Sequence, residues 1–400
     1  MPHTNTISSH PKPRQRNFYA ALIIAASVGI AGFLLSLSMA ATGDARSIEP
    51  ENGSGDARIE TDQTASNSKY LLFGVIDSTG GGTGTTPPAT GGGSTPVASA
   101  APGISKGMVE DSNAQFSQDA TDMQNAGVKW MRGWMACGNT SEAVEVAKTL
   151  QAHGITFLPT YNCDINMSIS TFQQTLAADM DALKPYGVHV WEIGNEMDGG
   201  WTPENNYCNN NATPGDMVCA QAAYLEFQKA AYSTIHTNDP QGALIYGGLS
   251  NWSTNIGPWL AEMKKSQAWQ WMDGMGYHPY GSTVDVTMAS MDDLKTAMSA
   301  DPAWASKPIW ITEVGCWSSG LGASQQSPCS PQSEEGKASY IVGLMDAMKA
   351  WNKGTTFEIR SPICWYILHE NSDTPGYGLL TTGSRTLLPA YTAYKNYAGF

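Results

Sequence analysis

Charge is scarce in this chain. Of its 400 residues only 14% are charged, and the balance is acidic, with 36 Asp and Glu against 22 Lys and Arg and a formal net charge of -14. No amphipathic run carries a stripe of Lys or Arg, which argues against nucleic acid or another polyanion as ligand. Metal-ligand spacings are missing as well. There is no CxxC and no HxxxH, so little supports a zinc site. No Gly-rich phosphate fingerprint follows the first strand-like runs, which weakens a doubly wound dinucleotide fold without removing it. Neither a metal nor an organic cofactor is expected.

What the chain has in quantity is aromatic surface, with 13 Trp and 16 Tyr. An indole N–H needs a partner when buried, so many Trp in one domain often line a wet cleft. Core filling is the plainer reading for most of them.

The order of segments is informative. Residues 1–17 hold Lys12, Arg14 and Arg16 and no acid, and the stretch from Phe18 to Ala41 has no charge at all. A basic start before such an apolar run reads as an export signal. Ser38-Met39-Ala40 resembles a cleavage site, yet the run is long enough to stay as a membrane anchor. Either way the remainder is expected outside the cytoplasm, secreted, periplasmic or anchored. Residues 42–100, rich in Gly, Ser, Thr and Pro, read as a flexible linker. One island, Lys69 to Asp77, reads as a strand that caps the barrel or even opens it. The catalytic domain is expected over 101–400.

From there strand-like and helix-like runs alternate. Strands are expected at 104–109, 128–135, 155–161, 188–196, 243–249, 272–280, 308–315 and 361–368. Helices are expected at 116–126, 142–153, 171–183, 217–236, 256–265, 291–298, 334–351 and 388–397. Eight such units predict a (β/α)8 barrel with its site at the C-terminal ends of the strands.

Seven cysteines follow the loops. Cys208 with Cys219 and Cys316 with Cys329 are close in sequence, and Cys137 and Cys163 follow neighbouring strands, so three bridges are expected in an exported protein. Cys364, inside the last strand, reads as a buried thiol.

The chemistry gathers at strand ends. Glu196 closes VHVWEIGNE, and Glu313 closes PIWITE. Two carboxyls facing one barrel mouth suit acetal hydrolysis, one protonating the leaving oxygen and the other attacking the sugar carbon. Glu192, four residues earlier, reads as a structural partner. GNE at 194–196, HPY at 278–280 and ITE at 311–313, in that order, resemble clan A of the retaining glycoside hydrolases, with features of families 39 and 5. That resemblance implies Glu196 as acid/base and Glu313 as nucleophile. It implies Asn195 on the sugar 2-hydroxyl, Tyr280 donating to the nucleophile, His278 lining the subsite, Arg132 orienting the nucleophile and Trp365 as subsite floor. Met197 stands where many members have Pro. Trp134, Trp201, Trp252 and Trp317 are candidates for stacking on sugar, with rim packing as the alternative. Asp164, Asp198 and Asn251 read as hydroxyl ligands or helix caps, and His369 and Glu370 as further contacts.

The expected function is a retaining β-glycosidase acting on an oligo- or polysaccharide. A transglycosylase of the same fold and a non-catalytic glycan-binding envelope protein stand as alternatives.

Overall fold

The computed structural model describes residues 57–60, 70–73, 104–110, 115–164, 166–198, 214–251, 256–318, 328–353, 358–370 and 375–400. The expected export segment lies outside them. Two units divide the chain, Met1–Ala89 and Thr90–Phe400. In the first, β1 (Ala57–Glu60) pairs antiparallel with β2 (Tyr70–Phe73). The island at 69–77 thus contains a strand inside the stretch expected to be linker. Its partner is β1, and it does not open the barrel.

The second unit carries eight parallel strands. They are β3 (Ser105–Val109), β4 (Trp130–Ala136), β5 (Thr156–Asn162), β6 (Val190–Ile193), β7 (Ala243–Ser250), β8 (Gly274–His278), β9 (Ile309–Ile311) and β10 (Pro362–Trp365). Neighbours in sequence are neighbours in the sheet, and β10 pairs with β3. Parallel bridges from Ile309 to Ile359 and from Val314 to Trp365 close the ring. Between strands run α1 (Phe116–Asn125), α2 (Thr140–Ala152), α3 (Ile169–Leu183), α4 (Pro214–Asn238), α5 (Ile256–Ser266), α6 (Val284–Met298), the single turn α7 (Pro302–Ala305), α8 (Glu334–Asn352) and finally α9 (Pro389–Asn396). The fold is the expected (β/α)8 barrel.

Local chemistry sets the helix starts. Ser168, Thr283 and Ser333 each accept a backbone N–H of the first turn, satisfying a donor the helix cannot. Thr283 explains why α6 begins before the expected 291. Its first turns, VDVTMAS, are rich in β-branched residues and read poorly as helix.

Strand residues alternate between the lumen and the helix layer, and this pleat orders everything functional. Trp130, Leu158, Val190, Ala243, Ile245 and Trp310 form a closed apolar floor inside the barrel. Met108, Met131, Phe157, Trp191, Met275 and Trp365 face outward into the larger core under the helices. Five of the tryptophans, Trp191, Trp259, Trp304, Trp310 and Trp365, are fully buried, so filling is what these do. Above the floor the lumen turns polar.

Candidate active site

Arg132 is the first polar side chain above the floor on β4, and it is almost fully buried. Its guanidinium donates from Nε to Glu192 Oε2 at 2.6 Å, from Nη1 to Glu313 Oε2 at 2.8 Å and from Nη2 to Asn195 Oδ1 at 2.5 Å. A planar fork with fixed donors suits three acceptors in fixed directions; Lys would not. Burial disfavours its charge, but Glu192 and Glu313 more than offset that and raise its pKa. Glu192 is fully buried on β6, and it also accepts from Thr160 Oγ1 at 2.9 Å and Gly248 N at 3.0 Å. Burial pushes its carboxyl up, yet Arg132 prevails and holds it below the usual range. It is the structural partner the sequence suggested, and its partner is the arginine.

Glu313 follows β9. One oxygen takes the Arg132 bond and the other accepts the Tyr280 hydroxyl. Burial and the Glu313 charge keep Tyr280 protonated, well above its ordinary pKa, so it acts as a donor. Asn251 holds the Tyr280 backbone at both ends, donating to its carbonyl at 2.5 Å and accepting its N–H at 3.0 Å. The hydroxyl-ligand reading of Asn251 therefore gives way to a positioning one.

Glu196 sits just past β6 with φ 48°, a left-handed conformation that a side chain with a Cβ rarely adopts. The turn is held in place from β7. Glu196 N donates to Gly248 O at 2.8 Å, and Ser250 donates to Asp198 from its N at 3.0 Å and its Oγ at 3.2 Å. Asp198 is fully buried there, with its pKa raised to about 7 by burial and by Glu196 against those hydrogen bonds. His278, fully buried at the end of β8, faces Glu196 Oε1 with Nδ1 at 2.9 Å and Thr312 Oγ1 with Nε2 at 3.1 Å. Burial opposes its charge, but Glu313 and Glu196 raise its pKa overall.

Gly248 makes room for this ring. A Cβ there would lie 2.1 Å from His278 Nε2 and 2.7 Å from Thr312 Oγ1. Sequence reading passed over it, although paired glycines inside an apolar strand, IYGGLS, signal a close approach. Thr312 and Thr160 went unmarked too; nothing distinguishes a lumen-facing Thr from a packed one before the pleat is known.

Ligating atoms of Glu196, His278 and Glu313 lie within 4.8 Å of one another. The trio suits a cation poorly. Both Glu313 oxygens already accept bonds, the Glu196–His278 pair is satisfied internally, and the Arg132 charge is adjacent.

The remaining candidates separate. Trp134 is the next lumen-side residue after Arg132 and is 56% exposed. Trp317 is buried beside Ile367 and Tyr377 with Tyr280 packed against them, so rim packing rather than an open stacking face describes it. Trp365 corrects the expectation of a subsite floor. It points outward from β10 against Tyr340 of α8, ring centroids 6.1 Å apart, and donates to Tyr377 O at 3.3 Å. Its neighbour Tyr366 is the aromatic that packs with Tyr280 and Tyr377. Trp201 and Trp252 lie outside the described residues. Asp164 accepts from Asn166 in a local turn. His369 Nε2 lies 2.9 Å from Asp119 Oδ1 of α1, and burial lowers the pKa of its imidazole. Disulfides join Cys137 to Cys163 and Cys316 to Cys329. Cys219 is disulfide-bonded, whereas Cys208 lies outside the described residues. Cys364 is a free, buried thiol.

No protein-family model and no curated protein matches the chain. Solved structures do. A family 39 glycoside hydrolase from the gut symbiont Bacteroides cellulosilyticus superposes with TM-score 0.56 at 17% identity, covering 74% of this chain and 63% of that one. A β-glucosidase from Thermotoga maritima, in complex with castanospermine, gives TM-score 0.52 at 12% identity over 73% of this chain and 96% of its own. Bacteroides uniformis β-glucuronidase 2, covalently bound to a cyclophellitol-6-carboxylate aziridine, gives 0.51 at 12% identity, with 74% and 35% covered. This chain therefore spans less than two thirds of the family 39 enzyme and about a third of the glucuronidase. The barrel is the fold that these solved glycosidases share.

Proposed function

We propose that the chain is a retaining β-glycosidase, exported, acting on an oligo- or polysaccharide. The observation that carries this reading is that one carboxylate oxygen of Glu196 and one of Glu313 lie within 4.8 Å of each other, each residue with its own set of partners. Carboxyls in retaining enzymes stand about 5 to 5.5 Å apart, against roughly 6.5 to 9.5 Å where a water must fit between them and sugar in an inverting enzyme. The fold shared with glycoside hydrolases supports the same reading, and the Cys137–Cys163 and Cys316–Cys329 disulfides accord with an oxidising compartment.

In this reading Glu313 attacks the anomeric carbon, and the bond to the leaving oxygen breaks as that oxygen takes the proton of Glu196. A glycosyl ester on Glu313 results. Glu196, now a carboxylate, removes a proton from water; the water oxygen bonds the anomeric carbon and Glu313 leaves. Arg132 and Tyr280 each hold one oxygen of Glu313, and Asn195, fixed by Arg132, keeps its amide N–H for a hydroxyl of the reactive sugar.

A panel of activated 2-deoxy-2-fluoro β-glycosides tests this with peptide mapping of the full chain. The expected result is one ester adduct on Glu313, absent in Glu313→Gln. Glu196→Gln is expected to lower kcat by about 10²- to 10⁴-fold for natural leaving groups. No adduct with any glycoside that the protein hydrolyses, or full hydrolysis by both variants, would overturn the assignment. Binding without turnover across the panel would favour a non-catalytic glycan-binding protein.

A further inference from the structure

The lumen side of β4 climbs in three steps. Trp130 belongs to the apolar floor, Arg132 holds Glu313 and Asn195, and Trp134 comes next. At 56% Trp134 is the most exposed large apolar side chain among the described residues. An indole left open at a barrel mouth is not there for packing. Two residues along a strand span about 6.6 Å, close to the advance of one sugar unit along a chain.

Its surroundings are fixed. Just beyond it the Cys137–Cys163 disulfide joins the ends of β4 and β5, and Cys137 N donates to Asn162 O at 2.8 Å. Asn162, lumen-side on β5, donates its amide to Thr160 O at 3.0 Å, while its carboxamide oxygen is buried and has no partner. A buried acceptor without a donor is costly, and a hydroxyl arriving beside it would relieve that cost. The side of the mouth is also defined. Glu196, which faces the leaving oxygen, leans on Gly248 of β7 and His278 of β8, whereas Trp134 and Asn162 stand on β4 and β5.

We propose that Trp134 and Asn162 form a second sugar subsite on the non-reducing side of the reactive sugar, Trp134 stacking on a pyranose face and Asn162 accepting a hydroxyl. The substrate class is then a chain with at least two units on that side, and monosaccharide glycosides are poor substrates. This rests on the glycosidase reading above. A platform fixed by a disulfide and a strand pair loses little entropy when sugar docks.

The test uses the full chain, the 4-nitrophenyl β-glycoside that the Glu313 labelling panel selects, and the 4-nitrophenyl disaccharide of the same series. In the unaltered protein the disaccharide is favoured in kcat/KM. Trp134→Ala is expected to lower the disaccharide-to-monosaccharide ratio about tenfold, mostly through KM, as the loss of one aromatic stacking contact implies. Trp134→Phe recovers most of the ratio, and Asn162→Ala lowers it by a smaller factor. A ratio unchanged in Trp134→Ala, with Glu313 still labelled, overturns the subsite while leaving the catalytic reading intact. Absence of labelling in the unaltered protein removes the catalytic reading itself.

Discussion

Replacing Asp198 with Asn isolates what it costs to fold the acid-bearing turn around a buried carboxyl. Asp198 is fully buried, accepts both bonds from Ser250, and has its pKa raised from 3.8 to about 7 by burial and by Glu196. The native state thus binds a proton that the unfolded state has lost over the intervening pH range. Stability from this group is intact below pH 4 and falls as pH rises towards 7, because ionisation favours the unfolded chain. At about 1.4 kcal/mol for each pH unit between the two values, the loss is about 4 kcal/mol. The asparagine is isosteric with the aspartate it replaces: its side-chain oxygen accepts from Ser250 N, and its amide donates to Ser250 Oγ. Asp198→Asn should therefore keep the turn and lose the pH dependence. Urea unfolding of both proteins at pH 4, 6 and 8 checks this. The stability of Asp198→Asn relative to the unaltered protein should rise by about 4 kcal/mol from pH 4 to pH 8. Parallel pH profiles for the two proteins would refute the reasoning.

Arg132→Met leaves Glu192 buried without its cation, so about 3 to 5 kcal/mol of stability should be lost, with activity, in urea unfolding and turnover assays. The double variant Arg132→Met with Glu192→Gln should regain part of the stability and none of the activity; equal instability of the single and double variants would contradict the pairing. Cys137→Ser with Cys163→Ser opens a 26-residue separation, for which loop-closure entropy gives about 3.5 kcal/mol and a lower Tm by calorimetry. An unchanged Tm would mean that the β4–β5 pairing holds the two ends without it.

The barrel was legible because each unit repeats one pattern: a short apolar run followed by an amphipathic one. What could not be read was which side of a fully buried strand faces the lumen. Pro362, Ile363, Cys364 and Trp365 are all buried, so β10 shows no alternation in its sequence. Only the pairing of Cys364 with Gly107 and of Trp365 with Met108 tells that Trp365 faces the helices. β4 was easier, because Arg132 and Trp134 differ in kind from Met131 and Met135. The catalytic candidates were legible for another reason: Glu196 and Glu313 end strands abruptly, a signal that survives ignorance of the pleat. Gly248 and Asp198 end no strand: the glycine pair in IYGGLS signals only that something approaches closely, and the groups that Gly248 and Asp198 face are set by the fold.

Arg132 explains why so few charges suffice. In a chain with 14% charged residues, one guanidinium on β4 reaches β6 through Glu192, the turn after β6 through Asn195, and the end of β9 through Glu313. The two proposed catalytic carboxyls are consequently not independent. Glu313 is aimed from below by Arg132, and Glu196 is aimed from the side by Gly248, Ser250 through Asp198, and His278. Glu192 underlies both sets, because it accepts from Arg132 and also from Gly248 N. A disturbance of Glu192 therefore reaches both carboxyls at once through different strands, although it touches neither.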